Sequence, residues 1–594
     1  MPRGLPFGSG LFGGESRQST SLRSVYLELA LFVCVAGFAH PLDGSTISWL
    51  GGNGNWSDPT SWSCPSCGGL TYPSNGNLGL NFDVIINPAA PVSATLDVSP
   101  AVNSLTLGES DWLGSVTAHT LLVSGNMANN GGTLSLQGGS TLAAGGTIAG
   151  NGSAAIFLSD ATTSLSVAGD LISGDGTGSA SVTLRGGSSL TVGGLFSQSA
   201  SILNMDAAAT SFQSGSFTQD ASSAVGMTNT ATAVVNGSFT NNGGAINLQS
   251  GSTLAISGDL NQSVGSGISL TDGNTFLHVG GNLTNGGASL TNGANLTVVG
   301  NYTQSDAILK LDGVGTSFQS GSFTQDASSL LSLTNSAAVV VDGPFVNSGG
   351  IVTLQSSSNV TVDGFTINDG TTIVDVSAAW VNNGDVTNNG DLIINGSLDA
   401  GTNVYVQDQG VTTVSQGSTL TAGEVMINAG LLTGTGTIAG SLVNSGTDDP
   451  GALDAQTILG DYTQTTGGVL DIELGENGRF ASLAISGDAT LSGELDVSLY
   501  AGFDTQLNDR FPILTFEPDG LTSGTNFIAY DFPTWNGLTF QEVIEPDEID
   551  LVVISDAPAD ASPEPSTLVL LFSALPLGVI GWLRRFTTRG SSLG

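Results

Sequence analysis

The sequence contains very few cationic side chains. Lys and Arg together account for 10 of the 594 residues, against 50 Asp and Glu, and the formal net charge is −40. Between Arg23 and Arg584, the cations are Arg185, Lys310, Arg479 and Arg510. A body this acidic repels phosphate backbones, so nucleic acid is excluded as an expected partner.

Groups that move protons in catalysis are equally scarce. The histidines are His40, His119 and His278 alone, far apart in the sequence, so a Ser/His/Asp triad is not expected. A glycoside hydrolase needs two carboxylates at a set separation. Asp448 and Asp449 are adjacent, and in an extended strand they would point to opposite faces. We expect a non-enzymatic protein without a cofactor, and a β-helix polysaccharide lyase or hydrolase stays as an alternative.

Cysteine is limited to Cys34, Cys64 and Cys67, and the last two form a Cys-Pro-Ser-Cys segment. In an exported protein, this short loop favours a disulfide, with free thiols as the alternative. A redox motif would need a thioredoxin-like βαβ setting, and a zinc site would need two further ligands. No dedicated metal site is expected, because no calcium-binding repeat recurs and GDGTG at Gly174–Gly178 fits a turn.

What the chain does contain is glycine and an internal repeat. The segment TSFQSGSFTQDASS occurs at Thr210–Ser223 and again, without a single change, at Thr316–Ser329. Within this duplication lies a shorter unit: a Gly, in most units an apolar residue two positions on, and an Asn or Gln four positions on. The unit begins at Gly194, Gly215, Gly237, Gly258, Gly281, Gly300, Gly321, Gly343 and Gly364. A period of about 21 residues is typical of a solenoid.

The repeat consists of short strands rather than helices. Apolar residues alternate with polar ones before most of the glycines, as in Leu254-x-Ile256 and Val339-x-Val341, which is the period of a half-buried strand. We therefore predict an all-β parallel β-helix of about 21 residues per coil. The amides Gln219, Asn241, Gln262 and Asn285 are expected to stack in one column. Phe217, Phe239, Phe323 and Phe345 are expected to point inward as a stacked file.

The sequence divides into seven segments. We predict a signal peptide (1–39), an N-terminal β cap (40–101), β-helix repeats (102–459), C-terminal coils with a β cap (460–555), a linker with a Pro-Glu-Pro motif (556–565), a transmembrane helix (566–586) and a basic cytoplasmic tail (587–594). The first segment has Arg3, Arg17 and Arg23 before an apolar run, as an export signal requires. A buried helix of a cytosolic domain is the alternative for that segment.

The start of the predicted mature chain is rich in tryptophan and glycine. The stretch WLGGNGNWSDPTSW runs from Trp49 to Trp62. It resembles the N-terminal segment of bacterial surface proteins that carry autotransporter-associated β-strand repeats. The resemblance covers about 50 residues and implies a segment that closes the open end of the first coil, as solenoids require.

The end of the chain combines three elements. Pro563, Glu564 and Pro565 precede an apolar run from 567 to 583, and Arg584 and Arg585 follow it. At about 17 residues, the run is at the short limit for a membrane span, and the two arginines favour a cytoplasmic end. This ending resembles the PEP-CTERM sorting signal of Gram-negative bacteria. The resemblance implies recognition and cleavage by exosortase, a membrane-bound transpeptidase-like enzyme; an ordinary C-terminal anchor is the alternative.

These features favour an exported structural or adhesive protein of the cell surface or extracellular matrix. The expected partners are exosortase, the inner membrane through the C-terminal helix before cleavage, and an extracellular polysaccharide. A carbohydrate-binding surface protein is the second class that the sequence leaves open. A solvent-facing row of aromatic rings along one strand column would favour that class.

Overall fold

The computed structural model describes residues 44–556, except 66, 452, 477–478 and 501–502. Within them the chain is an all-β parallel solenoid of about 20 turns, with successive turns about 21 residues apart, and the predicted fold class is confirmed to this extent. The described residues contain 60 strands, short 3-10 turns at Pro59–Ser61 and Asn77–Gly79, and no α-helix. None of their helices is long and apolar enough to cross a membrane.

Most coils contribute strands to three parallel columns, which we number in the order of the repeat. Column 1 precedes the repeat glycine, column 2 follows it, and column 3 lies beyond the next turn. Six strands run through both of the first two columns: Ser189–Gln198, Ser211–Asp220, Asn295–Gln304, Ser317–Gln325, Thr419–Ile427 and Thr437–Asn444. The other strands of column 1 are Ala101–Val102, Thr120–Val123, Thr141–Ala144, Ser164–Val167, Thr232–Val235, Thr253–Ile256, Phe276–Val279, Ala338–Val341, Asn359–Val362, Ala379–Asn382, Ser397–Asp399, Ala455–Ile458, Ser482–Ile485 and Arg510–Thr515.

Column 2 begins earlier in the chain than the predicted repeat region. Its remaining strands are Ser45–Trp49, Phe82–Ile86, Ser104–Leu107, Met127–Asn130, Ile148–Asn151, Leu171–Ser173, Phe239–Asn242, Leu260–Gln262, Leu283–Thr284, Phe345–Asn347, Thr366–Asn368, Val386–Asn388, Val404–Gln407, Tyr462–Gln464 and Ala489–Thr490. Since Ser45–Trp49 pairs in parallel with Phe82–Ile86, the coil pairing already starts within residues 40–101.

Column 3 forms the second face of the solenoid. Its strands are Gly54–Asn55, Ser93–Thr95, Trp112–Ser115, Thr133–Leu136, Ala155–Leu158, Ala180–Arg185, Ser201–Asp206, Ala224–Thr228, Ala245–Gln249, Gly267–Thr271, Ala288–Thr291, Ile308–Asp312, Leu330–Thr334, Ile351–Leu354, Thr371–Val374, Asp391–Ile394, Val411–Val414, Leu431–Thr433, Thr447–Asp449, Val469–Leu474, Glu494–Leu499 and Ala529–Asp531. Three strands lie outside the columns: Trp62–Ser63, antiparallel to Ser45–Trp49, and the hairpin Leu538–Ile544 with Glu548–Ser555.

The predicted aromatic file is confirmed. The rings of Phe217 and Phe239 are stacked with centroids 4.2 Å apart, and those of Phe323 and Phe345 with centroids 4.6 Å apart. All four side chains are buried. Because each coil pairs in register with the next, inward side chains at equivalent positions lie directly above one another. Tyr302 extends the second stack below Phe323, at a centroid distance of 5.3 Å.

The predicted amide column is confirmed for three of its four members. Gln219, Asn241 and Gln262 occupy equivalent register positions in column 2, and all three are buried. The Gln219 amide nitrogen donates to the Asn241 side-chain oxygen at 2.9 Å. No such bond joins Asn241 to Gln262, because the Asn241 amide nitrogen donates to the Gly244 carbonyl oxygen instead.

The prediction for Asn285 is wrong. The column 2 strand of its coil ends at Thr284, and Asn285 turns away with a φ of 54°. The unit that begins at Gly281 is the shortest of the series, so its strand is shorter than those of its neighbours, and we call it the short coil. In the next coil the hydroxyl group of Tyr302 donates to the Gly286 carbonyl oxygen, so a tyrosine binds the backbone where the column would continue. The column resumes with Gln304, which pairs in register with Gln325.

Candidate functional site

Two groups of residues were predicted from the sequence to carry function. The sorting-motif residues Pro563, Glu564, Pro565, Arg584 and Arg585 lie outside the described residues, as do the predicted signal peptide and transmembrane helix. Cys64 and Cys67 lie within them and are joined in a disulfide, with their Cα atoms 5.2 Å apart.

Three tryptophans that precede the disulfide in the sequence form a cluster. Trp62 makes edge contacts with Trp49 and Trp56, at centroid distances of 4.7 Å and 4.9 Å. All three indole rings are buried, and each indole nitrogen donates to a backbone carbonyl oxygen. Exposed tryptophans that would stack on a ligand are therefore not found in this segment. The cluster packs as part of the hydrophobic core at the first coil.

Several half-buried carboxylates of the repeats accept hydrogen bonds from the neighbouring coil. Asp312 accepts hydrogen bonds from Thr334 and Asn335 of the next coil, at 2.8 Å and 2.7 Å. These bonds and the nearby Lys310 lower the pKa of Asp312. Asp326 accepts from the hydroxyl groups of Ser305 and Ser329, and its pKa falls to about 2. Hydrogen-bond donors from the same turn and from adjacent turns thus stabilise the ionised acids where cations are scarce.

The turn expected at GDGTG is also present. Thr177 donates to the Asp175 carboxylate through its backbone nitrogen at 2.9 Å and through its hydroxyl group at 2.6 Å. These bonds within the segment make it an Asx-type turn. Among the described residues, no group of three or more His, Cys, Asp or Glu side chains is arranged to hold a metal ion.

The carboxylates of the last coils are arranged differently. Asp471 pairs in register with Asp496, and Asp496 with Asp531, on the outward side of column 3. One coil earlier, Asp448 pairs with Leu470. The next residue, Asp449, therefore lies opposite Asp471 and faces the same side. We call these four residues, Asp449, Asp471, Asp496 and Asp531, the acidic file. Successive members lie one strand spacing apart, about 4.8 Å.

Proximity and partial burial make these acids harder to ionise. Burial, followed by the charges of Asp449 and Asp496, raises the pKa of Asp471 to about 6. Burial and the charge of Asp531 raise the pKa of Asp496. Glu473, one outward position further along its strand, has a pKa raised by burial and by the charge of Asp449. The acidic file therefore carries mutual repulsion that a cationic partner would relieve.

Asp448 lies on the opposite, inward side of the same strand, as alternation requires. It is in register between Leu432 and Leu470, and its side chain is fully buried. Gln456 is close by, but its amide nitrogen donates to the Gly434 carbonyl oxygen, and both Asp448 oxygens lack a hydrogen-bond partner among the described residues. Burial and the charge of Asp449 raise the pKa of Asp448 to about 8. Near neutral pH the side chain is therefore mainly protonated.

Solvent-facing aromatic rings do not form a row along the repeats. Phe276 and Phe365 are each about half exposed, on separate coils of the solenoid. The other large exposed aromatics of the described residues, Tyr500, Tyr530 and Trp535, lie near the C-terminal end. There the Tyr530 hydroxyl donates to Glu542 and the Trp535 indole nitrogen to Asp504, each at 2.9 Å.

A shallow groove of about 430 Å³ lies beside the short coil. The residues that line it include Gly267, Gly287, the apolar Val264 and Ile308, and Lys310. Asp306 is the acidic residue among those that line it. One carboxylate without a second at a set separation does not constitute a glycosidase acid and base pair.

Sequence reasoning identified the strands of the last coils but missed the acidic file. The residues belong to four coils of different lengths, so no fixed spacing connects them in the sequence. A usable signal is present in the phrases Asp471-Ile472-Glu473 and Glu494-Leu495-Asp496, in which acids alternate with buried aliphatic residues. Aligning these phrases as successive coils would have placed their acids on one face.

Comparisons with known proteins give a limited result. No protein-family model matches the chain, and no curated protein sequence matches it. Among solved structures, it is similar to the crystal structure of the Hap adhesin of Haemophilus influenzae, with 12% sequence identity and a TM-score of 0.29. The match covers 81% of this chain and 65% of the adhesin chain, which is less than two thirds of the adhesin's length. A similarity of this size carries no functional argument.

Proposed function

We propose that this protein is an exported, non-enzymatic structural or adhesive rod of the cell surface or extracellular matrix. The observation that carries the proposal is the long solenoid, in which the buried apolar residues that the structure describes form one core cluster from Ile47 to Val553. About 20 coils at about 4.8 Å each give a rod of about 100 Å. Parallel pairing in register along this length favours a stiff spacer, which is what a surface or matrix component needs.

The surface of the rod fits an extracellular setting. Its acidic side chains keep molecules apart by charge repulsion, and hydrogen bonds from neighbouring turns hold many of the carboxylates. The Cys64–Cys67 disulfide is of the kind that persists in oxidising compartments. We infer that the tryptophan cluster closes the first coil and that the Leu538–Ile544 and Glu548–Ser555 hairpin protects part of the last one.

The two identical segments allow the rod to be shortened without a new junction. Deleting residues 217–322 joins Ser216 to Phe323 and recreates TSFQSGSFTQDASS. The deletion removes five coils and shortens the rod by about 24 Å. If the protein acts through its length, we expect cells that produce the short form to lose attachment or matrix cohesion, although the same amount of protein reaches the surface.

Immunoblotting of surface fractions and an attachment assay would measure this effect. The matched control is the Phe365→Ala variant, which keeps the full length and removes a half-exposed ring. Full attachment by the five-coil deletion would contradict a role for length and favour a discrete binding site outside residues 217–322.

We further propose that the chain is anchored transiently in the inner membrane and is processed by exosortase, which recognises the sorting motif Pro563-Glu564-Pro565. Support comes from the sequence alone. The motif contains two prolines, a residue type that disfavours helix, and Arg584 and Arg585 follow the short apolar run. We expect the surface-released protein to lack the residues from about 567 onward. Mass spectrometry of its C-terminal peptides measures this directly.

The control for processing is a motif variant. Glu564→Ala combined with Pro565→Ala should leave the solenoid intact and make the uncleaved form accumulate in the inner membrane. Recovery of peptides reaching Trp582 from fully matured wild-type protein would instead identify the segment as a permanent anchor.

A further inference from the structure

The last strand of column 3 has an uncovered edge. Ala529–Asp531 pairs in parallel with Glu494–Leu499 on one side, and no other described strand pairs with it. The backbone nitrogen of Ala529 donates to the Gly493 carbonyl oxygen at 3.1 Å. Since consecutive residues of a strand direct their amide groups to opposite edges, the N–H and C=O of Tyr530 face the uncovered side. All three residues of the strand are exposed.

The other two columns end differently. In column 1 the strand Arg510–Thr515 pairs with Glu548–Ser555, the second strand of the antiparallel hairpin. In column 2 the last strand is followed by a bridge between Ala489 and Leu521. The hairpin strand Leu538–Ile544 also pairs with a single described strand, so it is a second edge at this end. The column 3 edge differs from it because it ends a stack of parallel coils. Unpaired N–H and C=O groups at such an edge are a template for another strand.

The side chains at this edge define what could pair with it. Asp531 is the last member of the acidic file, one strand away from Asp496. Tyr530 is in the inward register position above buried Leu495, yet 41% of it is exposed, because no further coil of the described residues lies over it. Ile528, immediately before the strand, is 67% exposed. The edge thus combines an apolar centre with an acidic flank.

We propose that the Ala529–Asp531 edge binds an extended segment of a partner protein, which adds one more strand to column 3. The segment places an apolar side chain over Tyr530 and a Lys or Arg side chain beside Asp531. Backbone hydrogen bonds to Tyr530 supply affinity, and the alternating side chains supply specificity. The proposal is independent of the rod function, because it concerns one end of the solenoid.

Charge decides against a second copy of this chain as the occupant. Pairing two copies through this edge would bring two acidic strands together, and like charges on adjacent strands are destabilising. A basic strand instead adds an opposite charge to a file in which four carboxylates already repel one another. The short length of the edge also limits non-specific pairing.

The test uses the full-length protein in detergent and three fluorescent peptides. The first peptide is Ser-Thr-Lys-Val-Lys-Thr-Ser, which places a Lys beside Asp531 in either strand direction. The second replaces both Lys with Glu. The third carries N-methyl groups on Val and on the Lys that follows it, which removes the backbone N–H that would donate to the Tyr530 carbonyl oxygen in an antiparallel or a parallel pair. We expect saturable binding of the Lys peptide, at least about tenfold weaker binding of the other two, and weaker binding at high salt.

Two variants separate this edge from the acidic surface as a whole. Asp531→Lys should reverse the preference, so that the Glu peptide binds and the Lys peptide does not. Asp391→Lys is the matched control, because Asp391 is also exposed in column 3 but lies on a strand that is paired on both edges. It should leave binding of the Lys peptide unchanged. Hydrogen exchange at the Tyr530 amide should slow when the Lys peptide is bound.

Several results would overturn the proposal. One is the absence of binding by the wild-type protein, and another is equal binding of the N-methylated peptide, which would indicate adsorption to the acidic face. Unchanged peptide preference in Asp531→Lys would place the binding elsewhere. A dimer in sedimentation experiments that Asp531→Lys dissociates would identify a second copy as the occupant in place of a basic partner.

Discussion

Replacing Phe323 with alanine is expected to destabilise the protein by about 3–5 kcal/mol. The Phe323 ring is buried between Tyr302 and Phe345, with centroid distances of 5.3 Å and 4.6 Å. Its strand is hydrogen-bonded to strands of the coils on both sides, so the backbone cannot close the cavity that the ring would leave. Urea unfolding of the purified protein measures the loss, and hydrogen exchange shows whether it is concentrated in the adjacent coils.

The control is the same substitution at an exposed ring. Phe365 is 48% exposed, and Phe365→Ala should change the free energy of unfolding by less than about 0.5 kcal/mol. A solenoid of this length need not unfold in one step, because each coil contacts mainly its neighbours. The comparison should therefore use the transition that reports on the coils around residue 323. Equal effects of the two substitutions would contradict the assignment of Phe323 to the core file.

Replacing Asp448 with asparagine is expected to remove a large part of the pH dependence of stability. The pKa of Asp448 is about 8 in the folded chain, whereas an unfolded aspartate titrates near its ordinary value of about 3.9. The folded chain therefore holds a proton that the unfolded chain releases. Stability from this group is complete below about pH 4 and is lost as the pH rises to about 8. Asp471, with a pKa of about 6, contributes in the same direction between about pH 4 and 6.

The measurement compares urea unfolding of the C-terminal coils at pH 5 and pH 7. We expect the wild-type protein to lose about 2–3 kcal/mol relative to Asp448→Asn over this interval. Asparagine has nearly the same shape as aspartate and does not titrate. The difference in the free energy of unfolding between the two proteins therefore measures the contribution of the Asp448 proton. Asp391→Asn, at an exposed position of the same column, should follow the wild-type profile. Parallel profiles of wild type and Asp448→Asn would show that Asp448 does not titrate in this range.

The amino-acid sequence by itself determined the repeating part of the structure. Period-two alternation fixed which residues of each strand face inward, and the regular spacing of the repeat glycines fixed the parallel pairing of successive coils. These properties are local and recur in many coils. A wrong prediction for one coil is therefore corrected by the pattern in the coils next to it. The stacking of Phe217 on Phe239 and the opposite directions of Asp448 and Asp449 followed from this pattern.

Tertiary structure decided the positions of side chains in the coils whose length departs from the repeat. The displacement of Asn285 depends on the reduced length of the short coil and on Tyr302 in the next coil, and neither is visible in the local pattern around Asn285. The acidic file depends on register between coils of unequal length, and a shift of one residue would have turned its acids inward.

The uncovered edge likewise depends on where the hairpin packs. The hairpin pairs with column 1, so the last strand of column 3 has a single partner among the described strands. Alternation states only that a residue belongs to one face of a strand. Which strand stands next to it is decided by hydrogen bonds between segments distant in sequence, and that pairing sets both the repulsion within the acidic file and the exposure of Tyr530.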